Sequence, residues 1–185
     1  MAKDTDGDTA LHKALKSMKK VSLGIIEKLI EVGGRKLVME KDAYGDTALH
    51  IACLNRNTSF DIISKLIGVG ERELVMLKSN NGDTALYIAF LNKNISFDII
   101  SKLIKVGGWE LITEKNQYCN SLQKYLTQEG LEWDERLQHV VETTGGSVAH
   151  QEQQPSKCIL ATNFGLKWRR HMKELAEANV DETRT

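Results

Sequence analysis

Apolar positions along this chain alternate between two helical patterns. In residues 47–55, Ala48, Leu49, Ala52 and Cys53 share one face of a predicted helix. Asp46 or Thr47 stands where an N-cap oxygen is needed. In residues 60–69, Ile62, Ile63, Leu66 and Ile67 make a second stripe behind a cap at Ser59. Gly70 is placed as the stop. Residues 71–81 then add a short apolar patch, Leu74-Val75-Met76, and a polar turn. Neither helix can bury its stripe alone, but both can when one such block stacks on the next.

The blocks do repeat. GDTALH begins at Gly7 and Gly45, and GDTALY begins at Gly82, spacings of 38 and 37 residues. SLGIIEKLIEVG, SFDIISKLIGVG and SFDIISKLIKVG follow from Ser22, Ser59 and Ser96. Residues 45–81 and 82–118 agree at 24 of 37 positions, far beyond chance. Three units are expected within 1–118, starting near residues 4, 42 and 79. Lys13 stands where later units carry Ile51 and Ile88, so unit one reads as an N-terminal cap with a polar outer face.

A fourth unit is due at 119 and is eroded over 119–146. Cys119-Asn120-Ser121 replaces Gly-Asp-Thr, while Leu122, Tyr125 and Leu126, then Leu137, Val140 and Val141, keep partial stripes. Residues 147–165 contain the only proline and read as a polar linker. Residues 166–185 hold an amphipathic helix, with Trp168, Met172, Leu175 and Ala176 on one side, and a tail. Its charges oppose the helix dipole, so it needs something to pack on.

The word TALHIA, two helices and a polar turn together resemble the ankyrin repeat, whose signature is T-P-L-H-x-A. The resemblance covers residues 4 to about 118 well and runs more weakly to 146. Ala10, Ala48 and Ala85 replace the usual proline. The unit exceeds the family's 33 residues by one between the helices and about three in the connector. The resemblance implies an all-α solenoid of helix-turn-helix units. It also implies that His12 and His50 bond nearby turn groups, with Tyr87 in their place in unit three. The expected function is non-catalytic: an adaptor or scaffold that binds a protein on its concave face.

Carried over by position, the turn tips are Asp6 and Asp8, Tyr44 and Asp46, Asn81 and Asp83, Tyr118 and Asn120. The inner helix positions are Lys16 and Ser17, Leu54 and Asn55, Leu91 and Asn92. Asp8, Asp46 and Asp83 place one carboxylate per unit, either to bind or only to cap helices. Tyr44, Tyr118, Leu54 and Leu91 are candidate anchors. A basic or amphipathic partner segment is expected. An alternative is a regulatory or targeting segment of a larger enzyme or membrane protein.

Charge and composition narrow the classes further. Lys plus Arg is 25 and Asp plus Glu is 25, with neither half polarised. A basic excess, the usual mark of nucleic-acid and anionic-membrane binders, is missing. Lys13, Lys16, Lys19 and Lys20 read as a solvated face of the first helix. The longest apolar run, Ala85 to Leu91, is far short of the roughly 20 residues a membrane helix needs. The acidic, polar start MAKDTDGDTA is not read as a secretory signal. Cys53, Cys119 and Cys158 show no CxxC spacing, which suits free thiols in a reducing compartment. A monomer inside the cell is expected, in the cytoplasm or the nucleus.

No chemistry is legible. Asp4-x-Asp6-Gly7-Asp8 begins like a calcium loop, but Thr9 and Leu15 stand where that loop needs Gly and Glu. Phosphate-loop, nucleophile-elbow and His-Glu-x-x-His patterns are missing. No catalytic, cofactor or metal residue is expected.

Overall fold

The computed structural model describes residues 2–17, 21–92, 95–118 and 120–122. The eroded unit beyond Leu122, the linker and the C-terminal helix predicted above lie outside them. Six helices follow one another: α1 (Ala10–Lys16), α2 (Leu23–Met39), α3 (Ala48–Leu54), α4 (Phe60–Met76), α5 (Ala85–Leu91) and α6 (Phe97–Thr113). Each unit contributes a short helix and a long one. The short helices α1, α3 and α5 pack in one row, and the long helices α2, α4 and α6 in a second row against them. Among the described residues there are no strands, only isolated bridges such as Lys41 to Thr47.

The predicted stripes are the core. Ala48, Leu49, Ala52 and Cys53 are buried on α3, and Ile62, Ile63, Leu66 and Ile67 on α4. Ile51 is buried as well. Burial pushes the Cys53 thiol up to about 12, so it stays protonated. The N-caps are Thr9, Thr47 and Thr84 for the short helices, not Asp46.

The long helices differ from expectation. Gly70 does not end α4; the break comes at Glu71, with φ 54°, and helix resumes through Met76. Gly34 and Gly108 make the same break in α2 and α6. The apolar patch Leu74-Val75-Met76 is therefore a further helical turn, with Leu74 and Val75 in the core. This turn occupies the extra connector residues of the unit. Gly70 has a different task, because a Cβ there would stand 2.3 Å from the Leu74 Cβ. It lets the added turn fold back onto the helix before it.

Candidate functional site

The turn tips are built by one anchor residue per unit. The Asp42 carboxylate accepts from the backbone N–H of Tyr44 and of Asp46, both at 2.9 Å. Asp4 does the same for Asp6 and Asp8, and Asn116 for Tyr118 and Asn120. Ser79 serves Asn81 and Asp83 with its hydroxyl. These are short polar side chains bonding their own backbone, a habit of Asp, Asn and Ser in turns. Sequence reasoning missed them because the residue type varies; their shared place at the head of each unit was the available signal.

Glycine closes each tip. Gly45 has φ 77°, and a Cβ on it would lie 2.6 Å from the Asn80 backbone nitrogen of the next tip. That approach lets successive tips bond directly. Ala43 N–H donates to Asp6 O, Asn80 N–H to Tyr44 O, and Gln117 N–H to Asn81 O, each at 2.9 Å.

The histidines are structural parts of this frame. The Thr47 N–H donates to His50 Nδ1 at 3.2 Å, so Nε2 carries the proton and donates to Asp83 O at 3.1 Å. His12 repeats this with Thr9 and Glu40 O. Burial lowers the His50 pKa to about 4 and lowers that of His12. Tyr87, in the same place, bonds Asn120 and Asn116 instead. Burial, then the nearby Asp83 charge, raises its phenol.

The inner helix ends join neighbouring units. Asn55 Nδ2 donates to Leu15 O and, at 3.0 Å, to Ser17 O. Asn92 Nδ2 donates to Cys53 O at 2.8 Å and Leu54 O at 3.2 Å. Both amides thus cap the preceding short helix. Asn81 Oδ1 accepts from Gln117 Nε2 at 3.0 Å.

The three carboxylates of the expected ladder are not equivalent. Lys16 Nζ lies 2.6 Å from Asp8 and 3.0 Å from Asp42, whose side chain is almost fully buried. The Tyr44 ring covers the same ammonium, 6.0 Å from its centroid. Burial opposes the Lys16 charge, but the bonds to Asp8 and Asp42 outweigh it and raise its pKa. So Lys16 belongs to an ion-pair cluster, not to a solvated lysine face. One unit on, the residue at the place of Lys16 is Leu54, which is exposed and has no charge to offer. Among the described residues no ion pair forms at the Asp46 carboxylate, which the Lys16 and Lys41 charges reach only from further away. Burial, then the Asp42 charge, pushes its pKa up to about 6. In unit three Leu91 takes that place, and Asp83 accepts from Asn116 Nδ2 at 2.8 Å. Asp6, Tyr44 and Tyr118 are exposed.

A row of capped helix pairs, joined tip to tip and presenting polar and aromatic side chains along one edge, defines an α-helical repeat scaffold. The family model for ankyrin repeats in three copies matches residues 18–111, just over half of the chain. The chain belongs to the ankyrin repeat family. Comparison with curated proteins finds no match. Members of the family generally bind other proteins and are typically not catalysts. Among the described residues no helix is long and apolar enough to cross a membrane, and no His, Cys, Asp and Glu side chains cluster as metal ligands do.

Proposed function

We propose that this chain is a non-catalytic adaptor that holds a basic, partly apolar protein segment along its turn tips and short helices. One observation carries the reading. In unit one the chain supplies its own cation, Lys16, to the acidic tip and covers it with Tyr44. In unit two the same place holds Leu54, and among the described residues no cation makes an ion pair with the half-buried Asp46, though the Lys16 and Lys41 charges act on it from further away. A partner's lysine or arginine at Asp46 would repeat what Lys16 does, with its stem on Leu54. Tyr44, on the tip between these two places, and Tyr118 further along supply aromatic surface of the kind that dominates binding energy. Leu91 and Asp6 extend the surface at either side. Asn55, Asn81, Asn92 and Asn120 serve it indirectly, by fixing the frame.

The test is selection from a displayed random peptide library on the wild-type chain. Sequences with a cation flanked by apolar residues should be enriched, and Asp46→Lys or Leu54→Ser should abolish their binding with helicity unchanged. Enrichment without a cation preference, or binding indifferent to both substitutions, refutes the reading.

A further inference from the structure

The first unit has two unlike outer sides. Lys13 makes the α1 side polar and pairs with Asp4 at 2.8 Å. The α2 side keeps the stripe of an internal unit. Ile25 is 57 % exposed and Val32 83 % exposed, with Leu29 between them. The counterparts of Ile25 are Ile62 and Ile99, 0 % and 3 % exposed, because the preceding long helix covers them. Ile25, Leu29 and Val32 stand at i, i+4 and i+7, a continuous ridge that a second helix fits.

Charge says which helix. Between consecutive long helices, a cation on the earlier one reaches a glutamate on the later one. Arg35 lies 2.6 Å from Glu73, and Arg72 lies 2.6 Å from Glu110. In the first unit the place of Glu73 and Glu110 is taken by Lys36. Eight residues earlier, Lys65 approaches Glu27 of the preceding helix at 3.9 Å, and its counterpart is Lys28. Among the described residues Lys28 meets Glu31 of its own helix, at 2.8 Å, and that pair is well exposed. The ridge is thus flanked by two lysines at the registers that face a neighbour. A copy of α2 or α4 placed there in register would set Arg35 or Arg72 against Lys36. A two-fold pairing of the ridge with itself would bring its lysines toward those of the second copy.

We propose that the exposed face of α2 docks an amphipathic helix of a partner protein, with two carboxylates about two turns apart set against Lys28 and Lys36. The carboxylate near Lys36 takes the role that Glu73 plays toward Arg35, with the signs exchanged. This site is separate from the tips of unit two and takes the opposite charge.

The probe is a fluorophore-labelled, end-blocked 18-residue peptide with leucines in one helical stripe flanked by glutamates. A second peptide replaces every glutamate by lysine. Anisotropy titrations on the full chain should show the glutamate peptide binding at least tenfold more tightly. Val32→Glu should weaken it at least tenfold with the thermal unfolding curve unchanged, since Val32 packs on little. Lys28→Glu with Lys36→Glu should reverse the preference, while Asp46→Lys should leave it alone. Equal binding of the two peptides, or indifference to Val32→Glu, overturns the proposal. So does self-association in sedimentation that Val32→Glu abolishes, which would make a second copy the occupant. Displacement of the probe by a synthetic peptide of residues 166–185 would make the occupant this chain's own segment, and also overturns it.

Discussion

The junction of units one and two and the junction of units two and three share one backbone plan and the same ion pair between their long helices, and differ in the charges at their tips. At the first, Asp42 is buried, paired with Lys16 and bonded to two amides. At the second, Ser79 stands in its place with a hydroxyl, and the tips meet through neutral groups, as in Asn80 N–H to Tyr44 O and Asn80 Nδ2 to Ala43 O. Tips of the same shape can thus be held by a buried charge or by a hydroxyl. What distinguishes the two is the cost of damage. A buried ion that loses a partner is left uncompensated, whereas a lost hydroxyl leaves amides near water.

The largest expected effect follows from this. Asp42→Ala removes the anchor of one tip and one partner of Lys16, and should cost about 3 kcal/mol in chemical denaturation. Ser79→Ala should cost about 1 kcal/mol. Equal losses at the two positions would break the comparison.

Next is acid. His50 has a folded pKa of about 4, below its ordinary 6.5. The unfolded chain therefore binds the extra proton first, and stability falls as pH drops from 6.5 toward 4. The slope integrates to about 3 kcal/mol. His50→Gln should flatten that slope in urea titrations across the window. An unchanged slope would mean that the histidine frame does not set the acid sensitivity.

A smaller effect sharpens the contrast between Lys16 and Leu54. Leu54→Lys gives Asp46 the cation that Asp8 already has. The Asp46 pKa should fall from about 6, read by carboxyl NMR titration. The folded form of Asp46 binds a proton more tightly than the unfolded one, so its ionisation lowers stability as pH rises through 4 to 6. Leu54→Lys should recover part of that loss at pH 7, about 0.5 kcal/mol after solvent screening. The gain should vanish below pH 4. The same variant should no longer select basic peptides.

Of similar size is Gly34→Ala, in the break of α2. φ is 60° there, but no atom lies within 4 Å of an added Cβ. Since Glu71 occupies the same break with φ 54°, a loss near 1 kcal/mol is expected from thermal unfolding. Gly45→Ala, with the same kind of φ and a tip pressed against it, should lose several times more.

Much of this architecture is legible from the sequence because it repeats. The stripe Ile62, Ile63, Leu66, Ile67 and the helix Ala48–Leu54 follow from spacing alone, and three copies remove the ambiguity of one. The role of His50 was readable from the family resemblance, and its recurrence once per unit spoke against catalysis. The turn Arg72–Met76 was not, because three apolar residues are too few to show a period and Glu71 hides a break that glycine marks elsewhere. The role of Asn55 was hidden for another reason. Its acceptors, Leu15 and Ser17, lie 40 and 38 residues away, where no local pattern reaches. Of the expected ladder, the partition into a paired Asp8 and an unpaired Asp46 depends on Lys16 meeting Asp42, which only the folded chain brings together.

The bonds between units have a regularity of their own. Lys41 to Lys78 O and Lys78 to Lys115 O each span 37 residues, and Arg35 to Glu73 and Arg72 to Glu110 each span 38. Such bonds tie a unit only to its immediate neighbour. Mechanically, the array is a set of springs in series, whose compliances add. A bend or stretch is shared among the junctions, and a load beyond one junction's strength opens the array at that joint while the others hold.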